Sequence, residues 1–489
     1  MRLAIAILNL SFSAKYFGVS IERDVWLLAF NAIIILDIAI WAPLNDTFRA
    51  KFLQVKQDQG EAAALDQTKS LLLVIGVITM LVVLLIELFP NIIGQAIAPD
   101  YNEKQQDALI LMIRLLAPSF LINQFTKILI SILNTYSSFI IPEIVGLFTQ
   151  ILTLLCIIIL APTIGISALA WSYYGGLIVL AVLLFYQIDK FKINLFRGFL
   201  YADVKKSFPF FLFSLPFFIP HFSSQINQVI EKSLASSFIG AVSILDYSRK
   251  FSDIPIDVLI GIFGSMMVPV LTLRFTQKDE KGFVEEFRKI FQFGFLVVTI
   301  VIATLTACPR AIVDFLYHKG NISEASLQEI ALLTMYYSWA GFAIFLYHSF
   351  GLSLLSSSRG KLFAIYGTMA QLIMIGINIA FFKRLSVYTF PLSLGLSHFI
   401  AAGIMACYFP VRDKRLIVTT VKYTLMMLVI TGLLLLTNLY LLPFENAVLI
   451  IVFNMFVLLF LLVSIVFVAK LEERDLFVSY IKKWTSRLS

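Results

Sequence analysis

His221-Phe-Ser-Ser-Gln225-Ile-Asn227-Gln228-Val-Ile-Glu231-Lys232, a break at Phe238-Ile-Gly240, then Asp246-Tyr-Ser-Arg249-Lys250-Phe-Ser-Asp253-Ile-Pro255-Ile-Asp257 form a polar stretch between two apolar runs. At about 100° per residue, Asp246, Arg249, Lys250, Asp253 and Asp257 share one helix stripe. His221, Gln225, Gln228 and Lys232 share a narrower stripe on the preceding helix. Ionisable groups at membrane depth are expensive, so they usually face a bundle interior or a water-filled cavity. The hairpin predicts one wall of a polar cavity inside a membrane protein.

Composition fits that reading. The 489 residues are 60% hydrophobic and 14% charged, which excludes an ordinary soluble enzyme. Residues 3–18 are apolar, but no small-residue cleavage site follows them, so no cleavable signal is expected. Cys156, Cys308 and Cys407 are widely separated and fall inside apolar spans, which argues against a disulfide framework or a zinc site. The net charge of +8 is a topology signal rather than a sign of nucleic-acid binding, because the bases gather in alternate loops.

Fourteen apolar spans are expected: about 3–18, 25–44, 70–91, 107–133, 138–161, 165–187, 208–235, 238–271, 290–316, 326–355, 361–382, 388–409, 418–441 and 446–469. With the N-terminus in the cytoplasm, cytoplasmic loops hold eighteen Lys and Arg, and external loops hold five. That bias places both termini in the cytoplasm. The spans divide into an N-terminal lobe (1–187), a basic linker (188–207), a C-terminal lobe (208–409), two extra helices (410–470) and a tail (471–489). The tail repeats Leu476, Tyr480, Trp484 and Leu488 beside Lys482 and Lys483, the pattern of an interfacial helix.

A faint repeat supports the two lobes. Gly18 precedes Asp24 by six residues, and Gly240 precedes Asp246 by six. Prolines 209, 216 and 220 in span seven, and Pro255 and Pro269 in span eight, predict bends that are either fixed kinks or hinges.

The chain resembles the MurJ (MviN) lipid II flippases. Lys15-Tyr-Phe-Gly18…Asp24-Val-Trp-Leu-Leu-Ala-Phe30 is similar to their opening motif. Ser131-Ile-Leu-Asn134-Thr135…Pro142 is similar to their connection between helices four and five. Gln225 to Ser236, Tyr247-Ser-Arg249-Lys250 and Ile254-Pro255…Gly261 are similar to their helices seven and eight. The resemblance implies an all-α membrane protein of two six-helix lobes in a V plus two helices that cradle a lipid tail. It implies movement of polyprenyl-pyrophosphate-linked sugars by alternating access, with coupling to Na+, H+ or the membrane potential. Asn9 and Asp37 stand where the family carries cavity arginines, Lys250 matches its helix-eight arginine, and Asp24 matches its helix-two aspartate.

A pyrophosphate brings about two negative charges into a partly dehydrated cavity, and those charges need cations. Arg249 and Lys250 are the first candidates, with Lys15 and Lys232 behind them. The same residues can instead form internal pairs, Arg249 with Asp253 and Lys250 with Asp246. Asp24 either meets a cavity cation or sits solvated at the outer interface. Asn31, Gln225 and Gln228 are candidate polar contacts, Asn31 alternatively a helix-contact hydrogen bonder. Glu231 and Asn378 are either a cation site or, for Glu231, the partner of a local base. No phosphate-binding loop of the ATPase type occurs, and no metal site or enzyme activity is expected. The chain is expected to act as a monomer on a lipid-linked sugar within membrane lipid. The other readings are a flippase for O-antigen or capsule repeat units, a cation-coupled drug exporter, a polysaccharide polymerase or ligase, and a non-transporting scaffold. Two extra apolar helices disfavour the exporter, and short external loops disfavour the enzyme.

Overall fold

Inside a bilayer each backbone N–H and C=O must find its partner within the protein, which leaves helices or closed barrels. The computed structural model describes residues 2–136, 140–195, 201–318, 320–411, 413–441 and 444–468. Among these residues the regular structure is helical. In chain order the helices are α1 (Arg2–Phe17), α2 (Ile21–Gln59), α3 (Glu61–Leu88), α4 (Pro90–Ile97), α5 (Glu103–Leu116) and α6 (Ser119–Thr135). Then come α7 (Ile140–Ile164), α8 (Ser167–Lys190), α9 (Phe208–Ser214), α10 (Phe218–Ala235), α11 (Ala241–Thr276) and α12 (Glu280–Ala307). The last six are α13 (Pro309–Tyr317), α14 (Glu324–Ser356), α15 (Gly360–Leu385), α16 (Thr389–Cys407), α17 (Lys414–Leu441) and α18 (Ala447–Val468). The tail 471–489 and Ser137–Phe139 of the helix four-to-five motif lie outside the described residues.

Among the described residues, eleven helical stretches are long and apolar enough to cross a membrane. One of them, Gly360–Cys407, holds both α15 and α16. The 16-residue α1 falls just short, and span seven is broken into α9, a 3-10 turn at Leu215–Phe217 and α10. These account for the fourteen expected spans. The chain is an all-α polytopic membrane protein.

Proline acts differently in spans seven and eight. Pro209 and Pro216 each open a new short helical segment, where the missing N–H costs nothing. Pro255 and Pro269 lie inside α11, which continues through both for 36 residues. Span four has an unexpected break at Ala117–Pro118 between α5 and α6.

The repeat glimpsed in the sequence recurs in backbone geometry. Gly18 and Gly240 both adopt positive φ, +57° and +85°. The helices α3 and α12 are both 28 residues long. Each ends on a residue of nearly the same conformation, Phe89 (φ −128°, ψ 46°) and Cys308 (φ −135°, ψ 48°). Each is followed by a proline that opens a short helix, α4 or α13.

The helices fall into two units. Unit 1 comprises Met1–Asp246, Leu316–Ser326 and Gly367–Phe390. Its axis is the 39-residue α2, which packs against α3, α4, α5, α6, α9 and α10. Trp41, Phe48 and Phe52 on α2 are fully buried, and Phe48 stacks on Phe210 with centroids 5.4 Å apart. In the connection after α8, Lys206 bonds Asp66 of α3 at 2.5 Å, which raises the Lys206 pKa. That exposed pair contributes little stability.

Unit 2 comprises Tyr247–Phe315, Leu327–Tyr366 and Pro391–Ser489. Its core is a ladder on α12: Phe283, Phe287, Phe291 and Phe295 recur every four residues and are all buried. Phe345 and Phe350 of α14 and Phe409 pack against this ladder. A Cβ on Gly294 would lie 1.9 Å from the Phe263 ring, so only glycine lets α11 and α12 approach there. Both α17 and α18 pack against α12. The latter buries Asn454, Leu458, Leu462 and Val466 along one stripe and leaves Phe456 and Phe460 outward, as a lipid-facing helix should.

Candidate functional site

The two glycine–aspartate repeats meet. Asp24, fully buried at the start of α2, caps the start of α11. Its Oδ2 accepts from the Gly240 backbone N–H at 2.6 Å. Its Oδ1 accepts from the Ser243 N–H at 2.8 Å and from the Ser243 hydroxyl at 2.5 Å. A carboxylate is well suited here because the first N–H groups of a helix lack intrahelical partners. The adjacent Arg23 is 2% exposed. It donates to Asp246 Oδ2 at 2.8 Å and to the Ser243 carbonyl at 3.3 Å. One residue pair on α2 thus grips both ends of the first turn and a half of α11.

Gly18 completes this latch. Its N–H and that of Asn321 both donate to the Ala14 carbonyl, at 3.1 and 3.0 Å. A Cβ at Gly18 would stand 1.7 Å from the Asn321 carbonyl oxygen. Gly165 shares the positive φ (+61°) but faces open space. Both Gly→Ala changes carry a left-handed backbone cost of about 1–2 kcal/mol. Gly18→Ala adds an overpacking cost of about 1–3 kcal/mol. Thermal unfolding should therefore show a larger drop for Gly18→Ala than for Gly165→Ala; equal drops would remove the close approach as a constraint.

On α10, Glu231 and Lys232 are both buried, with Lys232 Nζ 3.8 Å from Glu231 Oε1. Asn227, one turn before Glu231, accepts from buried Asn378 of α15 at 3.5 Å. Asn378 Oδ1 is buried with no hydrogen-bond partner among the described residues. Gln225 is buried and donates to Ser224, and Gln228 is half-buried.

In unit 2, Arg249 pairs with Asp253 at 3.4 Å, and its guanidinium lies 5.5 Å from the Tyr337 ring centre. Lys250 and Asp253 are half-buried, and Asp257 lies one turn further along. The two remaining candidates belong to unit 1. Exposed Lys15 lies over the Phe12 and Tyr16 rings at 5.8 and 5.6 Å. Asn31 donates back to the Leu27 carbonyl of its own helix at 2.6 Å.

Sequence reasoning missed two partners and one pairing. Arg23 was expected among external loop bases, yet it is buried. The Ser243 hydroxyl gave no signal beyond its position three residues after Gly240. Asp37, 1% exposed, pairs with Lys127 and accepts from Asn123 at 2.8 Å, both on α6. A lone acid in an apolar span predicts a basic partner, but not which one.

The chain is similar to known proteins over most of its length. Residues 13–467 match the family model described as "Lipid II flippase MurJ". The probable lipid II flippase MurJ of Thermotoga maritima is 22% identical over 297 residues, 60% of this chain and 58% of that protein. That of Rhizobium meliloti is 23% identical over 375 residues, 74% of this chain and 67% of that protein. Among solved structures, a lipid II flippase MurJ in an inward closed conformation superimposes with TM-score 0.80. It is 19% identical and is covered over 97% of this chain and 98% of its own. An inward-facing MATE multidrug transporter of the MOP superfamily superimposes with TM-score 0.68 at 12% identity, over 87% and 96%. The fold is that of MurJ and MATE transporters, and by the match over residues 13–467 the chain belongs to the lipid II flippase MurJ family.

Proposed function

We propose that this protein flips a polyprenyl-pyrophosphate-linked glycan precursor of the lipid II type across the cytoplasmic membrane, for peptidoglycan synthesis. Family membership over residues 13–467 carries the reading. The reaction makes and breaks no bond; it moves a charged headgroup through a low-dielectric region while the tail stays in lipid. Arg249 and Lys250 neutralise the pyrophosphate, with Lys15 and Lys232 as further cations. Asp24, Asp246, Asn31, Gln225, Gln228 and Asp253 contribute polar contacts or hold those cations between cycles. The Asp24–Ser243 and Arg23–Asp246 latch is what one face of an alternating-access cycle must make and break. Glu231 and Asn378 hold a coupling cation, a role suited to a buried carboxylate and to an amide oxygen with lone pairs to spare. The protein works as a monomer, with lobes 1–187 and 208–409 joined by 188–207, and with 410–470 serving the lipid tail.

A cell depleted of its own flippase and supplied with this chain tests the proposal. Lipid-linked precursor should stop accumulating on the cytoplasmic side. Continued accumulation with the protein inserted would sink it. A second reading, flipping of capsule or O-antigen repeat units, rests on Asp37, a carboxylate where the resemblance places an arginine. In that case a polysaccharide flippase mutant would be rescued instead.

Orientation follows from loop charge. In a cysteine-free background, cysteines at exposed Gln57 and Lys205 should react with impermeant reagents only from the cytoplasmic side, and one at Lys104 only from outside. Labelling of all three from one side would reverse the assignment.

A further inference from the structure

Unit 2 has a groove that neither the latch nor the cation candidates use. It lies between α14, α16 and α17, encloses about 760 Å³, and is lined by Leu346, Phe350, Phe399, Gly403, Leu416 and Thr420 among others. That volume is in the range of a small-molecule site, roughly 300–1,000 Å³. Thr420 and Thr424 return their hydroxyls to carbonyls of their own helix, at 2.9 and 2.8 Å, which turns those side chains' hydrogen-bonding capacity away from any occupant. Met426 and Met427 on α17 are buried in packing.

The groove does not end in lipid. At Val411 and Asp413 it joins a polar hollow of about 500 Å³ beside the first turns of α12 and α17. Among the described residues that hollow carries Lys281, Arg288 and Arg415 together with Glu280, Glu285 and Asp413, three charges of each sign, with Glu285 also paired to Lys289 at 2.9 Å. A purely apolar chain has no use for the hollow. A purely anionic headgroup would meet three carboxylates there, and a purely cationic one three bases. A headgroup with a phosphate and a primary ammonium satisfies both sets. We propose that the joined groove and hollow bind one zwitterionic phospholipid of the phosphoethanolamine class, its acyl chains along α16 and α17 and its headgroup between α12 and the start of α17.

Gly403 offers a clean test, because a Cβ there meets nothing within 4 Å. Gly403→Leu fills the groove and replaces the poorest ordinary helix former with a good one, so it should fold. The full-length protein is purified, stripped of lipid, and offered dioleoyl-phosphatidylethanolamine or dioleoyl-phosphatidylglycerol, with retained lipid read by native mass spectrometry. The ethanolamine lipid should be retained about tenfold better, the effect of two exposed ion pairs kept or lost. Gly403→Leu should lower its retention by a similar factor, and so should the pair Arg288→Gln with Arg415→Gln. Equal retention of the two lipids, or unchanged retention in Gly403→Leu, would mean ordinary annular lipid and overturn the proposal. So would crosslinking of a photoreactive residue at Thr420 to polyprenyl lipid or to the chain's own C-terminal tail.

Discussion

Asp24→Asn is expected to open the latch between α2 and α11. All three groups facing the Asp24 carboxylate are donors: two backbone N–H groups and the Ser243 hydroxyl. Asparagine keeps the shape but exchanges one acceptor oxygen for an NH2, so at least one buried donor faces another donor. An unsatisfied buried donor costs about 1–3 kcal/mol. Loss of the anion beside buried Arg23 adds to this, although Arg23 keeps its ion pair with Asp246. A total near 3 kcal/mol shifts the closed population about a hundredfold. A cysteine at Ser236, 3% exposed in the closed latch, should then be alkylated about a hundred times faster in the Asp24→Asn background. A cysteine at Ala303, fully buried in the core of unit 2, separates latch opening from general unfolding. Unchanged alkylation at position 236 would show that the latch does not hold the closed state. Equal acceleration at both positions would show a protein that has merely unfolded.

The latch also marks where sequence reading stops. Membrane spans are legible because hydrocarbon punishes each unpaired polar group, so apolar runs of about 20 residues stand out one at a time. The break in span seven was legible because Pro216 removes a donor locally. Pro255 and Pro269 instead lie inside one continuous helix, because neighbouring helices decide whether a missing bond ends a segment. The spacing Gly18–Asp24 and Gly240–Asp246 was visible, and its meaning was not. Asp24 meets Ser243 across 219 positions, and Arg23 meets Asp246 across 223. Nothing in one dimension reports which copy of a repeat touches the other. Asp37 and Lys127, 90 residues apart, are the same case on a smaller scale. Asn31 shows a contact made within one helix. It shares a face with Asp24, yet its amide is spent on its own helix at Leu27.

Replacing Arg249 and Lys250 together with Gln is expected to abolish flipping and leave the protein folded. At an effective dielectric of about 20, a unit charge 4 Å from a phosphate is worth about 4 kcal/mol. Losing two such interactions, even heavily discounted, slows headgroup passage by more than about a thousandfold. The alternative is that these cations serve the fold, since Arg249 pairs with Asp253 and lies against Tyr337. Half-buried pairs of this kind contribute modestly, and breaking one leaves an uncompensated carboxylate. Adding Asp253→Asn removes that carboxylate and separates the two roles. If the cations matter only through Asp253, the triple variant regains transport. If they bind pyrophosphate, it folds at least as well as the double variant and stays inactive. Arg249→Lys alone refines the point. It keeps the charge but loses the planar group that lies over Tyr337, so transport should fall by a modest factor rather than vanish. Full transport by the double variant, measured with the inserted protein quantified, would remove Arg249 and Lys250 as the pyrophosphate site. It would move the search to Lys15 and Lys232, the remaining candidate cations.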